Sequence, residues 1–569
     1  MKKLKFILCP LLILLMAVSI AGCGGGSTPP SGGNTPPAGG NTPPAGSSTP
    51  PAGSSTPPAG GGSTPPEGGV ASGDRVSYTI GVSDFLGRFI QGLTPTESWI
   101  LCNAVYDQIV NVDPKTKEIF SDCLEDWYYE DEVTLVMKLR DNVYFSNGMH
   151  ATAEDLLYSY TSNVDRGSTL VASFGPIIWD QCVARDEYTV QFKFERPFRV
   201  FLNTSVHLIC KEWSESLADG WEDMAWYDPV GSGPYKVVSY ISEDICVLKA
   251  RDDYWNAAEV GPVYVDEWTV KFYKDASTMY MDLEVGNIVF AEAQVPDYSR
   301  YVRNGSHGDG YEVFKITTGV TQYFCFSFHD FPAWNDKRLR EAVAHAVKWD
   351  ELAIVAYDEL NIPADSILAK ASPYHISPGT YEYNPDLAKQ LLAEAGYGPG
   401  SPLKLKTTLM DSLLYKALGE SVQFQLGQVG IDVELEFLDI MSAIAVWNAD
   451  GGTDFGFWWN IRGSAAFDLY DATPNATRES GSTYLRVPDP KFRDLWFTMV
   501  NNTDPNVYGP AIRELQQYTF DEIIYIPYYE FSAGMAYRTN IFTEEQLRDY
   551  IIGVNNYQIG RLGLRSAWK

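Results

Sequence analysis

The sequence predicts an α/β fold built from several domain-sized units. Three observations carry that expectation. The chain has 569 residues, which at ordinary domain sizes leaves room for roughly three to five units. Hydrophobic residues make up 45% and charged residues 20%, the balance of a protein with a large core. From Ser77 onward, strand-patterned and helix-patterned segments follow one another, which calls for sheets largely covered by helices.

The elements can be justified in order. Ser77–Val82 alternates as a strand, and Val133–Leu139 and Thr189–Phe194 give two more. One helix is expected over Arg338–Tyr357, with Leu339, Ala342, Val343, Ala346, Val347 and Ile354 on its buried face. His345 sits beside that stripe, where a packed histidine is expected rather than a ligand. Asn384-Pro385-Asp386 supplies an N-cap, a proline at the first helical position and an early acid, and Gly396 ends that helix. Its stripe is Leu387, Leu391, Leu392 and Ala395. A further helix from about Leu413 to Val429 stops at Gly430 and leads into the strand Ile431–Phe437.

The first 76 residues are read as lying outside the fold. Lys2, Lys3 and Lys5 precede an apolar stretch from Phe6 to Ile20 that is short for a membrane span and is followed by small residues. Ile20-Ala21-Gly22-Cys23 resembles a bacterial lipobox, so residues 1–22 are expected to be a signal peptide and Cys23 a lipidated N-terminus. The plainer alternative is an ordinary signal with an incidental cysteine. Residues 23–76 are then a tether, with Thr-Pro-Pro starting at Thr28, Thr35, Thr42, Thr49, Thr56 and Thr64 among Gly and Ser. This seven-residue period has no apolar seam, which excludes a coiled coil. Residues 24–69 would span roughly 40 Å as a random coil or about 140 Å as polyproline II. The expected location is the outer side of a cell membrane, held by lipid.

Charge excludes other classes. Lys+Arg number 43 against 73 Asp+Glu, a net charge of −30. Such a surface is unsuited to nucleic acid or to an anionic membrane through charge alone. Eight cysteines occur, of which Cys9 leaves with the signal. Cys102, Cys123, Cys182, Cys210, Cys246 and Cys325 remain, and their spacing does not choose among fifteen pairings; buried free thiols are the expectation. The six histidines show no metal-ligand spacing, and no H-E-x-x-H or G-x-S-x-G occurs. No enzyme activity, metal or cofactor is expected.

A collinear set of motifs then runs through the chain. Val105-Tyr106-Asp107 precedes Leu124-Glu125-Asp126-Trp127. Leu139-Arg140-Asp141-Asn142-Val143-Tyr144-Phe145-Ser146-Asn147-Gly148 and Thr152-Ala153-Glu154-Asp155-Leu156 follow. Val230-Gly231-Ser232-Gly233-Pro234-Tyr235 comes before Arg251-Asp252-Asp253-Tyr254-Trp255, and Asp336–Val343 before Pro385–Leu392. In physical terms the third and fourth are a strand entering an Asn-Gly turn and a Thr152-capped helix, and the fifth is a tight loop before a strand. Structural roles are expected for these pieces. Over about residues 77–540, the series resembles the extracellular solute-binding proteins of peptide and nickel ABC transporters, the family of oligopeptide- and dipeptide-binding proteins.

That resemblance implies a two-lobed periplasmic-binding-protein-like fold of type II, cluster C, with an extra subdomain in the first lobe. Lobe I would comprise residues 77–317 and 518–569, with the subdomain at 111–228, and lobe II residues 318–517. Crossovers are expected near Thr317–Gly319 and near Gln517. The implied function is the substrate-binding component of an ABC importer, a monomer that closes on a peptide and delivers it unaltered to a membrane permease. An oligosaccharide or other non-peptide solute is the alternative on the same fold, and a secreted hydrolase or signalling receptor the alternative of another class.

The resemblance also points to a ligand segment, Asp454–Arg462. Trp459 matches a tryptophan that relatives follow, after two residues, with an aspartate for the peptide amine; Arg462 occupies that place here. A guanidinium favours a carboxylate and repels an ammonium, so an anionic or neutral ligand group is expected there. Two alternatives stand: a different alignment lets Asp468 pair with the amine, or Arg462 is the salt-bridge partner of a neighbouring acid. Trp458, Trp459 and Asn460 are further pocket candidates, one of the adjacent tryptophans being core and the other cleft-facing. Ser98 and Trp99 are candidates from the other lobe.

Overall fold

The protein is described from a computed structural model. It describes residues 75–569 apart from 83–88, 91–97, 113–118, 294–309, 358–361, 448–451, 460–486 and a scatter of shorter stretches. The signal, Cys23 and the tether up to residue 74 thus lie outside the described residues, whereas Val76, expected in the tether, opens β1 and Arg75 pairs with Asp252 and Asp266.

In chain order the elements used below are β1 (Val76–Val82), α1 (Ser98–Val105), β2 (Leu124–Asp131), β3 (Thr134–Leu139), α2 (Ala153–Asp165), β4 (Thr189–Lys193), β5 (Tyr235–Ile241), β6 (Ile245–Ala250), β7 (Val265–Phe272) and β8 (Phe290–Ala293). Then come β9 (Tyr311–Phe326), α3 (Lys337–Ala346), α4 (Trp349–Tyr357), β10 (Ile362–Pro363), α5 (Pro385–Glu394), β11 (Leu403–Met410), α6 (Leu413–Gln428), β12 (Ile431–Leu438), β13 (Phe455–Trp459), α7 (Pro505–Asp521) and β14 (Tyr525–Arg538).

One mixed sheet organises the molecule. Its order is β13-β9-β14-β8-β1-β7-β6-β5, with β10 pairing β14 off that path. β1 lies parallel to β7 and β8, whereas β9 and β14 run antiparallel to each other. β2, β3, β4 and Val183–Ala184 form a separate antiparallel sheet. Its aromatic side packs Phe192 and Phe201 about Tyr160 of α2, with ring centroids 4.9 and 5.0 Å away. β11, α6 and β12 make a β-α-β unit whose two strands pair in parallel over their full length.

Local chemistry explains why the elements start and stop where they do. The Asp155 carboxylate accepts from both the backbone N–H and the hydroxyl of Thr152 at 2.9 Å, closing the first turn of α2. Asn384 caps α5 by accepting from Leu387 N–H. Gly396 and Gly430, just past α5 and α6, take φ of +92° and +91°, the left-handed region that glycine enters at least cost. Within α5, Ala388, Leu391 and Leu392 are buried and Leu387 and Ala395 half-buried, so the predicted stripe holds with one addition.

The single helix expected over Arg338–Tyr357 is two helices. Val347 is extended (φ −115°, ψ 137°) and ends α3. Lys348 N–H turns to Gln425 Oε1 of α6 at 2.8 Å, and the Trp349 indole donates to Ala344 O at 2.9 Å. The break resets the helical phase, so Ile354, assigned to the buried face from one continuous period, is 54% exposed. His345 is half-buried, its Nδ1 on the Glu382 carbonyl at 2.6 Å, as suits a packed histidine. All six cysteines of the globular part are buried and free.

The glycine-proline loop before β5 is a close-contact device. A Cβ on Gly231 would fall 2.0 Å from Val105 O, and one on Gly233 would fall 2.7 Å from Ala104 O. The loop lies against the end of α1, and Gly233 N–H donates to Val105 O at 2.8 Å. Gly231→Ala is expected to lower stability by roughly 3 kcal/mol or more in denaturant unfolding. Gly398→Ala, where a Cβ meets nothing within 4 Å, should change it by well under about 1 kcal/mol.

Candidate functional site

Two strands connect the part of the sheet around β1 with the part around β13. β9 pairs with β14 from Tyr311 opposite Arg538 to Cys325 opposite Tyr525, with shifts of register on the way. On its far edge β14 pairs with β10 through residues 529–530 and with β8 through 534–537, with residues 531–533 between the two contacts. At the same level the register slips between Thr317 and Val320, so residues 318–319 of β9 have no opposite number. A second shift lies between Gln322 and Tyr323, opposite Pro527. Proline has no N–H for the ladder, and such a shift tolerates it. Gln517, named from the resemblance, is inside α7.

The polar side chains at this level are anchored across the pair. Tyr528 donates to Gln322 Oε1 at 2.8 Å. Glu530 is 1% exposed, and its Oε1 accepts Lys370 N–H at 2.9 Å. Burial pushes the Glu530 carboxyl above its ordinary pKa, against the pull of that N–H and of nearby Lys370 and His375. His375 in turn faces Asp365 at 3.0 Å.

β13 reaches this level from a knot at its base. The Asp454 carboxylate accepts Lys406 N–H of β11 at 2.7 Å, and its carbonyl accepts from the Trp334 indole at 2.7 Å. Burial raises the pKa of Asp454, while the Lys406 N–H opposes the shift. Thr407 Oγ1 donates to Phe455 O, and the Phe455 ring stacks on Phe324 at 4.8 Å. These contacts hold β13 on β9 with Trp459 opposite Gln322 and Trp458 opposite Tyr323.

The predicted ligand residues divide accordingly. Trp458 and Trp459 end β13, and Ser98 and Trp99 open α1; the side chains of all four lie outside what is described. Asn460, Arg462 and Asp468 lie outside the described residues altogether. Sequence reasoning missed Thr321, Gln322, Tyr528 and Glu530. One signal was present: Glu530 is the only charged residue between Ile523 and Phe531, a run otherwise of Ile, Tyr, Pro and Phe.

The collinear motifs converge elsewhere, on a structural node. Asp107 after α1 accepts from the Trp255 indole at 2.8 Å and the Tyr254 hydroxyl at 3.2 Å. Its own N–H donates to Ser232 Oγ at 3.1 Å. Arg251, 3% exposed, donates to the carbonyls of Gly231 and Gly233 at 3.2 and 3.0 Å and pairs with Asp253. Burial, aided by the Asp122 carboxylate, pushes Asp107 up to about 6. Folding therefore favours the protonated carboxyl, a contribution full below the ordinary carboxylate range and lost as pH rises through about 6. A cavity of about 30 Å³ beside Asp107, Asp122 and Arg561 has room for little more than a water molecule. Among the described residues no cluster of three or more His, Cys, Asp or Glu could hold a metal ion.

The profile of the bacterial extracellular solute-binding proteins, family 5 (middle), matches residues 118–483. A Brucella ovis protein named as an ABC transporter peptide-binding protein is 25% identical over 391 residues, covering 66% of this chain and 71% of its own. The solved structure of the ABC transporter substrate binding protein CtaP from Listeria monocytogenes superposes with a TM-score of 0.70 at 20% identity, over 85% of this chain and 98% of its own. AgaA from A. tumefaciens R10, solved with agropinic acid, gives 0.69 at 18% identity over 86% and 98%. The fold is thus the two-lobed α/β architecture of type II periplasmic binding proteins. The chain belongs to family 5 of the bacterial extracellular solute-binding proteins, the solute-capturing components of ABC importers.

Trp255→Phe is expected to cost about 1–3 kcal/mol at pH 7.5, where it leaves a charged Asp107 oxygen short of a donor. At pH 5, below the raised pKa, the neutral carboxyl should reduce that penalty. Urea unfolding of both proteins at the two pH values measures the difference; equal penalties would contradict the buried-charge reading.

Proposed function

We propose that this protein is a lipid-anchored receptor that captures peptides outside the cytoplasmic membrane and hands them, unaltered, to an ABC permease. The observation that carries it is the membership of family 5 together with the named peptide-binding relative. Cys23 bears the lipid and residues 24–74 are the tether. Acyl chains contribute about 0.8 kcal/mol per buried methylene, so two or more hold an acidic protein on a surface that its charge does not favour. Among the described residues, no helix is long and apolar enough to cross a membrane.

In this reading lobe I is about residues 77–317 with 532–569, carrying the subdomain 111–228, and lobe II is about 318–531, the return crossover falling in β14 and not near Gln517, which is inside α7. The hinge lies where β9 and β14 pass between them. A solute that touches both lobes stabilises the closed form by its differential affinity for that form. Trp459 and Asn460 line the cleft from lobe II, and Ser98 and Trp99 from lobe I. Arg462 holds a carboxylate or a neutral acceptor of the solute; Asp468 is the alternative anchor, for an amine. No step of bond-making is assigned to the protein, which acts as a monomer. A second reading, a non-peptide solute, is favoured by the likeness to AgaA, whose bound agropinic acid is not named as a peptide.

Protein purified without denaturation, then unfolded, should release short peptides identifiable by mass spectrometry. Release of only sugars or opine-type acids would replace the peptide with the second reading. Conversion of any added solute would overturn the binding-only function.

A further inference from the structure

Thr321 on β9 and Glu530 on β14 stand directly opposite each other in the antiparallel register. Side chains at such positions rise from the same face, with Cβ atoms about 5 Å apart. Both residues are buried, Thr321 at 0% and Glu530 at 1% exposure. Glu530 Oε1 is satisfied by Lys370 N–H, but among the described residues Glu530 Oε2 has no hydrogen-bond partner, and neither has Thr321 Oγ1. Two buried oxygens at facing positions of the strand pair are thus left unsatisfied, and they do not bond to each other. Buried polar atoms in native proteins are almost always paired, so an open pair calls for a partner such as a water, an ion or a solute group.

The surroundings narrow what that something is. The charged groups packed about Glu530 are Lys370, His375 and Asp365. The Lys370 ammonium is turned away, donating to Pro363 O at 2.9 Å, and His375 is engaged with Asp365 at 3.0 Å. Neither cation supplies a proton to Oε2. A water molecule would offer donors but leave the carboxylate charge uncompensated in a buried setting. A primary ammonium offers three donors and the missing charge together. The location adds weight, because Glu530 pairs with β10 just before β14 passes to its pairing with β8.

We propose that the facing oxygens of Thr321 and Glu530 form a subsite for an ammonium group of the bound solute, set at the crossover between the lobes. It rests on the solute-binding reading and makes that reading more specific: a cationic group is read by the hinge strands, separately from whatever Arg462 holds. An ammonium lodged between β9 and β14 ties occupancy directly to the strands that bend.

The test is isothermal titration of the full chain with matched pairs, Ala-Lys-Ala against Ala-norleucine-Ala and glucosamine against glucose. In at least one pair, the amine is expected to bind roughly tenfold or more tighter than its neutral partner. Glu530→Gln, which keeps the shape and the Lys370 contact, should abolish that preference. Thr321→Val should weaken the preference through the other oxygen, and gives the same reading should the first variant fold poorly. An amine preference seen only with glucosamine would retire the peptide reading and leave the subsite standing. No amine preference in either pair, or a preference that survives both substitutions, overturns the subsite.

Discussion

The antiparallel pairing of β9 with β14 is the constraint on which the rest depends. These two strands take part in both halves of the main sheet. Beside β14 on one side of the crossover are β8 and then β1; on the other side are β10 and, across β9, β13. A continuous ladder transmits position, whereas a slipped one allows a bend, because extra residues can change twist without costing the bonds on either side. The slip at residues 317–320 sits at the level of residues 531–533, where β14 passes from its pairing with β10 to its pairing with β8. Rigid ladders on both sides of one yielding level are what hinge closure requires.

Rigidity on either side of that level has separate sources. On the β1 side, Asp107, Trp255, Tyr254 and Arg251 lock the end of α1, the glycine-proline loop and the start of β5 into one unit. On the β13 side, the Asp454 knot fastens β13 to β11, and Phe324 stacks on Phe455. The first uses a carboxyl kept buried at the cost of a raised pKa. That is affordable because each oxygen finds a donor, and the arrangement specifies one geometry.

Much of the local structure was legible in the residues because it is encoded locally. Thr152, Asn384, Gly396 and Gly430 mark helix ends through bonds and backbone conformations within a few positions. The six cysteines could be read as buried thiols because a core of this size needs no cross-links. The break at Val347 was not legible, because it depends on Gln425 of another helix and on an indole turning back to Ala344. Ile354 was misassigned for the same reason. The crossover polar groups escaped for a stronger one: Gln322 and Tyr528 are 206 positions apart in sequence and meet only through strand register. The proposed ligand residues came from resemblance to a motif, and Glu530 lies outside that motif on a strand that reads as plain core.

Hinge bending at the β9–β14 level is tested most directly by small-angle X-ray scattering on the full chain, first stripped of retained solute and then resupplied with the material it released. A smaller radius of gyration and a narrower distance distribution on resupply are expected from lobes closing about that level. Superimposable profiles in the two states, with binding verified in the same sample, would contradict closure and with it the role given to the strand pair.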